Sequence, residues 1–272
     1  MTRPRGFTLT ELLVTMVVMA ILGTALARML INNSRFVSRQ DAMLSAREAS
    51  RAAMNTMLAE LRPVSNGGLM AASRDSVRAR IPLAFGMLCR TKASDTIASL
   101  LPYDSLMYAA ATIDSLAWLD SAGTYNAEGN FSVSSSTAQA SCDSDSVKVI
   151  PGGKLIALSR PNIGQPGLLF YLYQTVTYRF GNSSQMPGRR ALWRQAGSGA
   201  PEEIVVPFDT SARFRFLLGP WLTATATVPA VLDSIRGLEL NLVGQSDVAP
   251  QGEAAYQKFE LRTHVKFLNR TN

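Results

Sequence analysis

An apolar run near the N-terminus constrains this chain more than any other feature. From Phe7 to Ala27 the sequence FTLTELLVTMVVMAILGTALA carries a single charged side chain, that of Glu11. As an α-helix this run spans roughly 31 Å, close to the thickness of the hydrocarbon core of a bilayer. A lone carboxylate inside a membrane costs roughly 2.5 to 3.5 kcal/mol on insertion scales, so Glu11 needs a partner that compensates for this cost.

Three ordinary interpretations of the run compete. A secretory signal peptide would use MTRPRG as its basic region and Ala25-Leu26-Ala27 as its cleavage site. Glu11 at the start of the apolar core, and a helical pattern that continues past Ala27, disfavour this interpretation. A simple transmembrane anchor explains the length but not Glu11 or the Gly6-Phe7 junction, and a buried core helix is disfavoured by length.

The junction before the run carries a specific pattern. A short basic leader ends in Gly6, an aromatic residue follows at Phe7, and Glu11 stands four residues later. This pattern closely resembles the leader of type IV pilins and type II secretion pseudopilins. In that family a membrane prepilin peptidase cleaves after the glycine and methylates the new terminal amine. The resemblance implies cleavage between Gly6 and Phe7, N-methylation of Phe7, and a structural subunit rather than an enzyme.

The chemistry of these residues fits that family. Gly6 has no Cβ, so its backbone can lie extended and close to a protease. Cleavage creates a cationic amine at Phe7 in a low-dielectric setting. In a staggered stack of helices, Glu11 of one subunit can meet the Phe7 amine of its neighbour, and a paired buried charge is tolerated where a lone one is not. We therefore expect Glu11 to set the register of assembly.

The helical pattern continues beyond the apolar run. Apolar residues recur at three- and four-residue steps until Pro63, and the turn sequence SNGG follows. Many major pilins have a proline near the twenty-second mature residue, but Arg28 stands there and no proline occurs between Arg5 and Pro63. This departure favours a continuous helix and a minor subunit. We expect a leader (1–6), a transmembrane half (7–27), an amphipathic half (28–62) and a periplasmic globular domain (63–272).

The globular part is rich in predicted strands, and we expect an α+β pilin-like fold. Alternation of polar and apolar side chains predicts an antiparallel sheet with one wet face, against which the long N-terminal helix packs. Residues 93–146 are rich in serine and predict a variable insertion, with a short helix near 104–119 and an exposed loop over 130–146. The predicted strands include Leu168–Gly181, Arg189–Gln195, Glu202–Phe208, Arg213–Leu218, Ser234–Gly244 and Lys258–Leu268.

The order and spacing of the later strands resemble PilW-type minor pilins and J-type minor pseudopilins. This resemblance implies a single-pass inner-membrane protein whose periplasmic domain is assembled in a type IV pilus or a type II secretion pseudopilus. It also implies a subunit that initiates or caps the filament. The partners implied are the prepilin peptidase, other minor subunits and the major subunit.

The sequence offers little for catalysis or ligand binding. The single histidine, His264, stands in an alternating strand and has no apparent serine and aspartate partners, so no catalytic residue, cofactor or metal site is predicted. Asp143 and Asp145 lack the glycine and glutamate spacing of a calcium loop. Cys89 and Cys142 allow one disulfide outside the cytoplasm, and the alternative is two buried free thiols.

A filament-tip binding module for DNA uptake or adhesion is the alternative function. The chain has a net charge of +7, spread along its length rather than held in one basic block. Basic residues with aromatic neighbours can grip a nucleic-acid backbone and stack bases, although solvated strand faces give the same pattern. The residues in question are Arg74, Arg78, Arg80, Arg90, Lys92, Arg189, Arg190, Arg194, Tyr171, Tyr173 and Trp193.

Overall fold

A computed structural model describes most of the chain. The described residues are 8–65, 67–91, 96–110, 113, 115–120, 125–129, 133–135, 142, 153–159 and 163–267. The first element is a helix of 53 residues, α1 (Leu9–Leu61), about 80 Å long. It runs without interruption because no proline falls inside it, and it ends where Pro63 would break the backbone hydrogen-bond pattern. The prediction of a continuous helix is confirmed.

The remaining described elements are mostly strands. A second helix, α2 (Pro102–Ala110), and a short 3-10 helix (Leu232–Ser234) accompany them. The strands are β1 (Leu69–Ala72), β2 (Ser76–Thr91), β3 (Thr96–Leu100), β4 (Ser115–Leu119), β5 (Tyr125–Gly129), β6 (Val133–Ser135), β7 (Lys154–Leu158), β8 (Leu169–Asn182), β9 (Arg190–Ala196), β10 (Glu202–Phe208), β11 (Arg213–Leu218), β12 (Thr223–Thr225), β13 (Ile235–Gln245) and β14 (Lys258–Lys266).

These strands form one sheet with antiparallel pairing throughout its described part. Its main path is β12-β11-β13-β10-β9-β8-β2-β3-β7-β6, with β14 added on β13, β1 on β2, and β4 with β5 on β8. The long strands β2 and β8 pair over most of their length and connect two halves of the sheet. The α+β fold, with a long helix on a large antiparallel sheet, is confirmed.

The serine-rich segment contributes more to the sheet than its sequence predicted. The helix expected over 104–119 ends at Ala110, and the next element is the strand β4. Leu116 pairs with Leu172, and Trp118 pairs with Phe170. These partners are more than 50 residues away in the chain, so local periodicity carries no trace of the pairing. Most of the loop expected over 130–146 lies outside the described residues, while β6 within it is a strand.

The second half of α1 lies on the sheet through small side chains. Ser50 is completely buried there, and its Oγ accepts a hydrogen bond from the Gly244 amide at 3.0 Å and donates to the Phe259 carbonyl at 3.2 Å. A Cβ added to Gly244 would lie 2.1 Å from the Ala46 carbonyl oxygen. The helix approaches β13 this closely only because Gly244 has no side chain. The buried residues of α1 are Ala42, Ala46, Ala49, Ser50, Ala53, Met57 and Leu61.

A polar cluster fixes the C-terminal end of α1 to the sheet. Glu60 accepts a hydrogen bond from the Tyr178 hydroxyl at 2.6 Å and pairs with Arg194 at 3.0 Å. Burial, together with the neighbouring charge of Glu60, raises the pKa of Tyr178. Tyr178 therefore stays protonated and remains a donor to Glu60.

The two cysteines are joined in the structure. A disulfide links Cys89 on β2 to Cys142, and their Cα atoms are 4.8 Å apart. Both residues are fully buried beside Ile97 and Leu155. The bond therefore ties the serine-rich segment to the central strand of the sheet, and the alternative of two free thiols does not apply to this structure.

Candidate functional site

The start of α1 is closed by a capping box around Glu11. Thr8 is the N-cap residue, and its hydroxyl accepts from the Glu11 amide at 3.3 Å. The Glu11 carboxylate in turn lies 3.0 Å from both the amide nitrogen and the hydroxyl of Thr8. This reciprocal arrangement satisfies two amide groups that an open helix end leaves free. The Glu11 carboxylate thus finds donors within its own chain.

The sequence TLTE, from Thr8 to Glu11, already carried the signal for this cap. A Thr three residues before a Glu, ahead of an apolar run, is the pattern of a capping box. The sequence prediction explained Glu11 by its role in assembly alone, and it gave Thr8 no role. Among the described residues, no cationic side chain lies within ion-pair distance of Glu11. The described partners of its carboxylate are therefore the amide and the hydroxyl of Thr8. Gly6 and Phe7, the predicted cleavage junction, lie outside the described residues.

The first half of α1 projects away from the domain. Residues 8–37 are all exposed, including large apolar side chains such as Leu9, Met19 and Ile21. By length and composition α1 can cross a membrane, and none of its most apolar window is buried. A soluble domain has no reason to leave such a surface uncovered, and a bilayer supplies the missing apolar surroundings.

The loop between β13 and β14 marks the point at which α1 leaves the domain. Ser34 donates to the Gln251 side chain at 2.7 Å, and Ser38 accepts from the Gln251 amide at 3.0 Å. Arg39, directly after Ser38, pairs with Glu253. No sequence pattern marked these contacts. We call residues 9–33 the exposed half of α1 and residues 34–61 the docked half.

The residues proposed for nucleic-acid binding separate in the structure. Arg189 contacts Gln245 and stacks on the Tyr256 ring, Arg190 pairs with Asp75, and Arg194 pairs with Glu60. These three arginines therefore serve three different internal contacts, although they are neighbours in sequence.

The aromatic residues of that hypothesis also differ in their surroundings. Tyr173 is buried, whereas Tyr171 is partly exposed. The Trp193 ring is partly buried and lies 6.0 Å from the Arg179 guanidinium. Arg74 and Arg78 are exposed, Arg80 and Arg90 are half-buried, and Lys92 lies outside the described residues.

Other candidate ligand residues occupy structural positions. His264 lies 3.0 Å from the Glu239 carboxylate on the neighbouring strand, as expected of a residue in a strand face. Asp143 and Asp145 lie outside the described residues. Within the described part of the chain, no group of three or more His, Cys, Asp or Glu residues is arranged to hold a metal ion.

Comparison with known families gives one match. Residues 1–27 match the family model of the prokaryotic N-terminal methylation motif. This match covers the predicted leader, the predicted cleavage junction, the capping box and the apolar run. It supports a type IV prepilin-like chain of a structural family, processed by a prepilin peptidase, anchored by its N-terminal helix and assembled with other pilins. Comparisons with curated proteins and with solved structures give no match.

Proposed function

We propose that this chain is a minor pilin or minor pseudopilin that helps to initiate or cap a type IV pilus or a type II secretion pseudopilus. The observation that carries the proposal is the methylation motif at residues 1–27, continuous with an exposed apolar helix on a large domain. The leader (1–6) is removed at the Gly6-Phe7 bond, Phe7 is methylated, and the domain from residue 63 onward lies in the periplasm.

Glu11 exchanges partners during assembly in this proposal. Before assembly its carboxylate is held by the amide and hydroxyl of Thr8. In the filament it meets the cationic amine of a neighbouring subunit, and a charged partner in a low-dielectric setting replaces a neutral one. The capping box keeps the carboxylate at the helix end in the meantime, where it is ready for that contact.

A minor role fits the features in which the chain departs from major pilins. The helix is uninterrupted at Arg28, and the segment 93–146 contributes four strands to the sheet. The strand order motivates the comparison with PilW-type minor pilins and J-type pseudopilins. The alternative, a tip module for DNA uptake or adhesion, retains Arg78, exposed on β2, and Tyr171, exposed on β8. DNA binding by the full chain that falls steeply with salt would favour that alternative.

The mass of the N-terminal peptide from the native membrane tests the proposed processing. We expect a peptide that begins at Phe7 and is heavier by one methyl group. A peptide beginning at Arg28 would instead identify a signal peptide, and an intact Met1 would identify a plain anchor. Either result contradicts the proposal.

Glu11→Ala tests the assembly role. We expect the domain to unfold at the same denaturant concentration as the wild type, because Glu11 has no described contact with the domain, while incorporation into filaments is lost. Glu48→Ala, an exposed carboxylate on the docked half, is the matched control and should assemble normally. Normal incorporation of Glu11→Ala, measured by shearing and immunoblotting, would refute the register role.

A further inference from the structure

The sheet face that points away from α1 carries a cluster of cations on three adjacent strands. Arg213 on β11, Asn241 on β13 and Arg262 on β14 form one cross-strand row. Arg215, Glu239 and His264 form the next row on the same face. These residues bring three guanidinium groups around one amide and one carboxylate. This cluster takes no part in the methylation motif or in the proposed assembly of subunits through α1.

The carboxylate of the cluster is already neutralised from within. Glu239 is mostly buried and contacts Arg215 at 2.7 Å and His264 at 3.0 Å. Burial alone would raise the pKa of Glu239, but the hydrogen bonds from His264 and Arg215 and their charges lower it overall. Glu239 is therefore ionised at neutral pH and pairs with Arg215. It does not neutralise the two arginines of the first row, Arg213 and Arg262.

The cations of the first row are only partly engaged. Arg262 pairs with Glu260 at 2.5 Å, but both side chains are about half exposed, so this ion pair is weak and exchangeable. Arg213 has no ion-pair or hydrogen-bond partner for its side chain among the described residues. Within the described part of the chain, the Arg213 guanidinium is thus unpaired, and the Arg262 guanidinium has only an exposed, exchangeable ion pair.

Asn241, between these two arginines, has an unfilled acceptor. Its side chain is buried, and its Nδ2 donates to the Ser211 carbonyl at 3.1 Å. Its Oδ1 is buried and has no hydrogen-bond partner among the residues that the structure describes. A buried acceptor without a partner costs about 1 to 3 kcal/mol and is rare in native proteins. Asn241 lines a surface depression of about 210 Å³ together with Arg213, Arg215, Ala226, Glu239 and Arg262.

We propose that this depression binds an acidic side chain of a partner protein: Arg213 and Arg262 bind the carboxylate, and a peptide N–H beside it donates to Asn241 Oδ1. The site needs an anion for its guanidinium groups and a donor for its amide oxygen. An aspartate or glutamate within a polypeptide supplies both. A phosphodiester supplies the anion but no donor, and Glu239 in the lining of the depression disfavours a more highly charged anion. The inference does not depend on the proposed filament role.

Titration of the full chain in detergent micelles with N-acetyl-aspartate methylamide tests this site. This probe combines one carboxylate with peptide N–H groups. With ¹⁵N labelling we expect saturable shifts of the Asn241 side-chain amide and the Arg213 Nε–H signal. Arg213→Gln and Arg262→Gln should each weaken binding by about tenfold, the loss expected for one charged hydrogen bond. Lys266→Gln, on the same strand face outside the depression, should bind as the wild type does.

Two further probes distinguish the ligand chemistry. Acetate, which has the carboxylate but no N–H group, should bind about tenfold more weakly than the peptide probe, because it leaves Asn241 Oδ1 unpaired. Inorganic phosphate binding more tightly than the peptide probe would overturn the assignment and indicate a phosphate-bearing partner. The absence of saturable shifts, or equal affinity in wild type and Arg213→Gln, would also overturn it.

Discussion

The two halves of α1 belong to one continuous helix but meet different surroundings. The exposed half carries Leu, Val, Ile and Met on every side, and all of these side chains are uncovered. The docked half is less apolar, yet four of its alanines and Ser50 are among the most buried residues of the protein: Ala42, Ala46, Ala49 and Ala53. Apolar content alone would therefore identify the wrong half as the one that packs in the domain.

The size and spacing of the side chains explain this difference. Alanine and serine at three- and four-residue steps let the helix backbone approach β13 closely, with Gly244 completing the contact. Large side chains all round the helix leave no face for such an approach and suit a solvent that is apolar in every direction. If this comparison holds, changes in the docked half should act on the whole domain, and changes in the exposed half should act locally.

The largest effect is expected from Gly244→Ala. The added methyl group would lie 2.1 Å from the Ala46 carbonyl oxygen and 2.6 Å from Ser50 Oγ, and the first neighbour is rigid backbone. We expect the free energy of unfolding to fall by about 3 kcal/mol because the helix must move away from β13. Chemical denaturation followed by tryptophan fluorescence measures this loss.

Gly23→Ala is the matched control for that variant. Gly23 lies in the exposed half, and a Cβ added there meets no described atom within 4 Å beyond the backbone of its own helix. We expect the unfolding midpoint of the domain to be unchanged. Equal effects of the two variants would show that the two halves of α1 do not differ as described.

A smaller loss of unfolding free energy is expected when Asp209 is protonated in acid. Burial tends to raise the pKa of Asp209, but hydrogen bonds from Lys258 and Ser211 and the charge of Lys258 lower it to about 2. A lowered carboxyl pKa stabilises the folded state above the ordinary value of 3.8. This contribution, about 2 kcal/mol, is lost as the pH falls from about 4 towards 2.

Unfolding at a series of pH values checks this prediction. Asp209→Asn should flatten the dependence of unfolding free energy on pH between about 4 and 2. Glu202→Gln, an exposed carboxylate on β10, should leave it unchanged. The helicity of the exposed half in detergent should persist through this transition, because no described group of that half is paired with the domain. An identical slope in wild type and Asp209→Asn would contradict the assignment.

Sequence patterns predicted the parts of the fold that depend on local order. The continuous helix followed from the absence of proline, and β10 and β11 have the predicted bounds. The strands β3 to β7 were missed, since their partners lie far away in the chain and their composition is rich in serine and small residues. At the candidate site, the sequence motif identified Glu11 as a candidate residue. The contacts of Ser34 and Ser38 with Gln251 arise from tertiary structure that no local pattern encodes.

The smallest effect is expected from Thr8→Val, at the far end of the exposed half. The substitution removes the hydroxyl that accepts from the Glu11 amide and so costs about 1 kcal/mol within the first turn. Hydrogen exchange of the Glu11 amide should accelerate, while the unfolding midpoint of the domain stays unchanged. Thr24→Val, which makes the same chemical change within the helix, should leave that amide as protected as in the wild type.

A shift of the domain midpoint by Thr8→Val would mean that the cap is coupled to the docked half through some 25 residues of helix, about 38 Å. The exposed half would then be a mechanical extension of the domain rather than an independent segment.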